Sequence, residues 1–283
     1  MVRRWRLSSG CITGDEDSED KIRYLKPFMT TLRKIFALQG GGVISLVGAG
    51  GKTTLMFRLA AEIASSGETV LTTTTTKILM PRADQSPRVI ISPDVEDVLA
   101  EAKLLLSQER RHLTAARAHI AAQNKLQGFE NGDIGELYRS GLFSWIIVEA
   151  DGAGQRPLKA PAAHEPVIPH CSRWVIALVG LDAVGQPLTE EWVFRSRLFA
   201  DLTGLAPGAR ITEQSIAAAL SSEAGIMKGC PPGALRYIFL NKAETTERKE
   251  AGRRIAGFLK AQGGIRPDRV IIGATERELE TFE

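Results

Sequence analysis

Gly48-Ala49-Gly50-Gly51-Lys52-Thr53-Thr54 is the stretch from which the fold is read. Before it, Val43 to Val47 is a short apolar run ending in glycine, the pattern of a buried strand. After it, Lys52 to Ser65 carries Leu55, Leu59 and Ile63 on one helical face, with Gly67 as the stop. A glycine turn between a buried strand and a helix is the context of a phosphate-binding loop. Glycines let backbone N–H groups face a phosphate, and the helix N-terminus adds positive potential. Lys52 is expected to reach the β- and γ-phosphates and the Thr53 hydroxyl to hold Mg²⁺. Gly48, Ala49, Gly50, Gly51, Lys52, Thr53 and Thr54 together form the expected cradle.

Outward along the chain, Trp145 to Val148 is apolar and runs into Glu149-Ala150-Asp151-Gly152-Ala153-Gly154. A carboxylate at the C-terminal end of a parallel strand faces the phosphate loop, where it binds Mg²⁺ or orients an attacking water. Strand alternation puts Glu149 and Asp151 on the same side. Both are candidate catalytic and metal-binding residues. Two glycine readings compete: Glu149 to Gly152 reads ExxG, and Asp151 to Gly154 reads DxxG. Either glycine offers a backbone N–H to a γ-phosphate, and Gly152 is taken as the candidate.

A third segment follows a late strand. Ile238-Phe239-Leu240 leads into Asn241-Lys242-Ala243-Glu244, which is similar to the NKxD motif of GTPases. There the acid accepts hydrogen bonds from guanine and the lysine stem packs on the base. Glu244 in place of Asp shifts that geometry, so ATP and GTP both stay open. Thr72 to Thr76 is a run of five threonines followed by Lys77. Threonine favours strands, but this run continues past the strand end, so Thr75 and Lys77 are further candidates for phosphate. The proline-rich loop Pro157 to Pro169 carries Lys159, His164 and Glu165 and is expected to face substrate.

The rest of the chain alternates strands and helices. Strands are expected at Thr69–Thr73, Arg88–Ser92, Trp145–Ala150, Arg173–Leu181, Tyr237–Asn241 and Arg269–Ile272. Helices are expected at Asp94–Ser107, Gly132–Ser140, Thr189–Thr203, Thr212–Ser221 and Thr245–Gln262. Arg111 to Ile120 fits either state. Apolar strands alternating with helices point to a mostly parallel sheet covered on both faces. The expected fold is a three-layer P-loop α/β domain over residues 30–283, with 182–233 a small helical subdomain and 1–29 a flexible tail.

Composition bounds the function. Among 283 residues, 36 Lys+Arg against 33 Asp+Glu give a net charge of +3, too weak a field for a nucleic-acid binder driven by bulk charge. Three distant cysteines without a CxxC pair argue against a zinc ribbon and a disulfide scaffold, and for a reducing, cytoplasmic setting. No apolar run approaches the length needed to span a bilayer. Six of the 27 glycines fall between Gly40 and Gly51, so the glycine surplus sits around one loop.

The loop departs from the usual GxxxxGK[ST] spacing, because Leu46 stands where the first glycine belongs. Its shorter form resembles the GTNGKTT loop of the Mur ligases, which implies an ATP-dependent ligase or kinase as one alternative. A nucleotide-sensing module without turnover is another. The segments SLVGAGGKTT (45–54), TTTTKI (73–78), VEADGA (148–153), PLKAPAAHEPVIP (157–169) and FLNKAE (239–244) together resemble the YqeC family. That resemblance covers about residues 30 to 283 and excludes the acidic N-terminal tail. It implies a nucleotide-binding accessory factor in the maturation of a selenium-containing molybdenum cofactor, or in its insertion into a hydroxylase. From the motifs themselves, the expected cofactors are Mg²⁺ and ATP or GTP, with slow NTP hydrolysis. The implied partners are a molybdenum hydroxylase or its cofactor-maturation proteins, and a homodimer stays open. The metal-insertion GTPases serving hydrogenase and urease share the ExxG and NKx(D/E) pair, an analogy at the level of fold.

Overall fold

A computed structural model describes residues 31–261, 263–275 and 279–282. The tail expected over residues 1–29 lies outside the described residues. In chain order the elements are α1 (Leu32–Ile35), β1 (Gly42–Gly48), α2 (Lys52–Ser65), β2 (Val70–Thr74), β3 (Lys77–Leu79), β4 (Val89–Ile91), α3 (Val95–Ser107), β5 (His112–Ala116), β6 (Ala118–Ile120), β7 (Lys125–Gln127), α4 (Asn131–Arg139) and β8 (Trp145–Glu149). There follow β9 (Leu158–Lys159), β10 (Ser172–Gly180), β11 (Val193–Phe194), α5 (Ser196–Thr203), α6 (Glu213–Ser221), β12 (Leu235–Asn241), α7 (Thr246–Ala261), β13 (Arg269–Gly273) and β14 (Leu279–Phe282).

Nine of these strands form one sheet in the order β14-β13-β12-β10-β1-β8-β2-β5-β4. Neighbours run parallel except the antiparallel pair β13 and β14. The glycine-loop strand β1 is central and buried along its whole length. Its Ile44 and Leu46 pack with Leu55, Met56 and Leu59 of α2 on one face. Val43 joins the core under α3 and α4 on the other face. Val47 joins a third cluster, where β10 and β12 meet α5, α6 and α7. This is the three-layer α/β arrangement the sequence implies.

The order β10-β1-β8 matters for the site. Chain progression reverses at β1, so connections leave toward opposite faces and open a crevice beyond the carboxyl ends of these strands. Parallel register aligns Leu46 with Glu149 across β1 and β8. The acidic strand end therefore lies beside the glycine loop.

Two local expectations are corrected and one open reading is settled. The helix expected at Thr189–Thr203 starts only at Ser196, after the strand β11. Arg195 has φ 63°, which breaks the helix there, and Glu190 caps the new start by accepting from Arg195 N and Ser196 N. The proline-rich loop contains β9, which pairs with β11 in a small parallel ribbon. Arg111 to Ile120 is two strands, and β6 joins β7 and β3 in an antiparallel sheet. Within 182–233, Leu188, Phe199, Ile216 and Met227 share one cluster with Val175 and Ala177 of β10 and Ile238 of β12.

Candidate functional site

Strand, loop and helix around Gly48–Thr54 stand as the sequence implies. Lys52, Thr53 and Thr54 open α2, so their N–H groups have no partner one turn earlier within the helix. Gly50 has φ 79°, and a Cβ there would sit 2.4 Å from Gly180 N, so only glycine fits. The loop is braced from three sides. Gly48 N donates to Asp151 Oδ2 at 3.0 Å. Ala49 N donates to Leu178 O at 2.9 Å, and Gly50 N to Arg156 O at 3.1 Å.

Lys52 is buried, and its Nζ donates to Gly48 O at 2.5 Å. It lies 3.0 Å from Asp151 Oδ1 and 3.8 Å from Glu149 Oε1. Burial disfavours the ammonium, but the Asp151 and Glu149 carboxylates outweigh it and hold the Lys52 pKa above the ordinary lysine value. Burial raises the Glu149 pKa, with Lys52 and Thr53 pulling the other way. Thr53 Oγ1 donates to Glu149 Oε2 at 2.7 Å.

Asp151 has a second ammonium partner. Lys159 Nζ lies 3.0 Å from Asp151 Oδ2 and 2.7 Å from Glu165 Oε2, and donates to Gly152 O at 2.6 Å. Glu165 accepts two bonds from Arg195, at 2.6 and 3.0 Å. Burial opposes ionisation of Glu165, yet Arg195 and Lys159 hold its pKa down at about 2. The result is a chain of alternating charge from Lys52 through Asp151, Lys159 and Glu165 to Arg195. Lys159 has no exposed side-chain surface, so it faces Asp151 where a substrate-facing loop was expected. His164 of the same loop is exposed.

The remaining candidates divide. Thr75 lies beside the acidic strand end, with its N–H on Glu149 O at 3.2 Å and its hydroxyl on Val167 O at 2.7 Å. Lys77 is exposed on β3, outside this cluster. Asn241 is buried and donates to Gly50 O at 2.7 Å, which ties the end of β12 to the glycine loop. Lys242 pairs with Asp182 at 2.6 Å, and Glu244 pairs with Arg248 at 3.0 Å. Sequence reasoning missed Arg195, Asp182 and Thr275. Asp182 had a readable signal, a carboxylate just past an apolar strand, the same rule that found Glu149. Arg195 had none, because its left-handed backbone does not show in a helix-like run.

The donor chemistry suits Mg²⁺. Thr53 Oγ1 and Glu149 Oε2 are adjacent hard oxygen donors at a helix N-terminus. Among the described residues no three His, Cys, Asp or Glu side chains converge as a metal cage. Mg²⁺ needs none, since it keeps waters and shares phosphate oxygens with one or two protein ligands.

Fold and site thus define a three-layer α/β protein with a phosphate-loop type of strand–loop–helix, acidic strand end included. The match to known proteins is more particular. The family model described as YqeC protein matches residues 44–197, and the chain belongs to that family. It is 38% identical over 205 residues to the Escherichia coli (strain K12) protein YqeC, covering 72% of this chain and 77% of that one. Among solved structures, it is similar to the signal recognition particle 54 kDa protein from Aeropyrum pernix K1 in complex with GDP, with a TM-score of 0.36 and 17% identity. That similarity covers 87% of this chain, which spans only 44% of the other. No helix among the described residues is long and apolar enough to cross a membrane.

Proposed function

We propose that the chain binds a Mg²⁺–nucleoside triphosphate on the Gly48–Thr54 loop and hydrolyses it slowly. The observation that supports this is the cluster of buried Lys52, Glu149 and Asp151 with half-buried Thr53 at the loop, Lys52 on Gly48 O and Thr53 on Glu149. A lysine held over its own loop is placed for the β- and γ-phosphates, and free helix N–H groups complete the anion site. Thr53 and Glu149 would hold Mg²⁺, which supplies charge neutralisation at the phosphates when bound. Glu149 and Asp151 are the candidates to orient the attacking water, and Gly152 to meet the γ-phosphate. Asp151 keeps Lys159 as counter-charge when Lys52 turns toward phosphate. Inorganic phosphate release with Mg²⁺ and ATP or GTP tests the hydrolytic part. Glu149→Gln should lower the rate at least about 100-fold, in the range of other lost transition-state contacts. Turnover unchanged in that variant removes Glu149 from the chemistry, and binding without any turnover favours a nucleotide-sensing module.

The family resemblance extends this reading to a role in maturing a selenium-containing molybdenum cofactor, or inserting it into a hydroxylase. A host lacking the chain should then accumulate hydroxylase protein without its cofactor, and Lys52→Ala should fail to restore it. Full cofactor content without the chain contradicts the role.

A further inference from the structure

One ion pair ties the turn after β10 to the turn after β12. Asp182 Oδ2 lies 2.6 Å from Lys242 Nζ, while the Lys242 side chain stays 37% exposed. The ammonium is drawn from the end of β12 back to the end of β10, so the aliphatic stem spans the two strand ends. Both turns adjoin the phosphate loop. Asn241 donates to Gly50 O, and Gly180 lies so close to Gly50 that no Cβ fits between them. Asp182 Oδ1 is buried without a hydrogen-bond partner among the described residues, so Lys242 is this carboxylate's one strong partner. Gly180 makes room for it, since a Cβ there would lie 2.5 Å from Asp182 Oδ1.

The edge-reading groups of the NKAE segment are engaged elsewhere. Asn241 spends its amide on Gly50 O and its carbonyl on Thr275 N at 3.1 Å and Thr275 Oγ1 at 3.0 Å. Glu244 pairs with Arg248 one helical turn on. What remains for a base is the flank of the Lys242 stem. Contact with a base through its face tolerates any purine, whereas hydrogen bonding to its edge selects one.

The geometry assigns Asp182 as a positioning residue that lays the Lys242 stem out as a base platform, in a site that takes ATP and GTP alike. This rests on the nucleotide reading above and adds its base preference and the residue that sets it. The test is calorimetric binding of Mg²⁺–ATP, Mg²⁺–GTP and Mg²⁺–tripolyphosphate to the full chain. The variants are Asp182→Asn, Lys242→Ala, their combination, and Glu244→Ala. Wild type should bind ATP and GTP within about threefold of each other, as face contact implies. Asp182→Asn and Lys242→Ala should each weaken both nucleotides about tenfold relative to tripolyphosphate, the scale of one lost base contact. Because Asp182 acts through Lys242, the double variant should lose no more than Lys242→Ala alone. A merely structural Asp182 would weaken tripolyphosphate equally, or add its loss to that of Lys242→Ala, and either result overturns the assignment. So does a GTP preference above tenfold that Glu244→Ala removes. Wild type that binds nucleotide with these ratios unmoved sinks this inference alone. Wild type that binds no phosphate ligand sinks the nucleotide reading and this inference with it.

Discussion

Lys52 receives opposite instructions from its surroundings. Burial disfavours its charge, while Asp151 and Glu149 favour it and prevail. A lysine so placed stays cationic through neutral pH, which a phosphate ligand requires. His112 shows the reverse balance. It is buried on β5 with Thr72 Oγ1 3.0 Å from its Nε2, and burial lowers its pKa from 6.5 to about 4. The unfolded chain takes up this proton first as pH falls. The neutral His112 therefore supports stability above pH 6.5, and that support drains away between about 6.5 and 4, by roughly 3 kcal/mol in all. Urea unfolding of wild type and His112→Gln from pH 7.5 to 4.5 checks this: the wild type should lose the extra increment and the variant should not. A second residue-scale expectation concerns Gly180. Gly180→Ala should cost about 1–3 kcal/mol, the usual range for overpacking, since its Cβ would meet Asp182 Oδ1 at 2.5 Å and Pro157 Cβ at 2.9 Å. Unaltered denaturant stability would mean that the two turns yield freely. The glycines of the Gly48–Gly51 loop were legible because they stand between an apolar strand run and a helical face. Gly180 was not, because its reason is a side chain two residues away.

At the scale of elements, the β9–β11 ribbon and the start of α5 hang on Glu165, which stands between Lys159 and Arg195. Glu165→Gln leaves two cations sharing a neutral partner, one of them fully buried. Lys159 keeps Asp151 and Arg195 is partly exposed, so the loss is that of charge-assisted hydrogen bonds, about 1.5–3 kcal/mol, and thermal unfolding should register it, whereas exposed His164→Ala should stay within about 0.5 kcal/mol of wild type. Equal effects of the two substitutions would deny the ion chain its role. Long periodic elements were legible: β1, α2, α3 and α7 match their apolar patterns within a residue or so at most ends. The strands β3, β6 and β7 were not, because each spans three residues without the apolar run that marks the equally short β4. The start of α5 escaped for another reason. Residues 189 to 195 share the composition of the helix that follows, and only tertiary contacts to Glu190 and Glu165 turn the backbone at Arg195.

Across the whole molecule, the strand order brings residues from five separate strands to one edge of the sheet. Glycine loop, acidic strand end, Asp182, Asn241 and Thr275 lie at or just past the carboxyl ends of β1, β8, β10, β12 and β13 in turn. The parallel sheet itself was legible from alternating strands and helices. Which strands neighbour which was not, because pairing is set by crossover connections that leave no local pattern. Asn241 illustrates the gap: its motif was visible, but its bond to Gly50, 191 residues away in sequence, depends on the order β12-β10-β1. The shared edge is what a phosphate ligand would occupy, and its occupation can be measured directly. Titrate wild type and Lys52→Ala calorimetrically with ATP and GTP in the presence of Mg²⁺. Binding to wild type should be saturable and should fall at least about 100-fold in Lys52→Ala, the scale of a charge-assisted contact removed from a buried site. Equal affinity in both proteins, or no binding to wild type, would contradict the nucleotide reading.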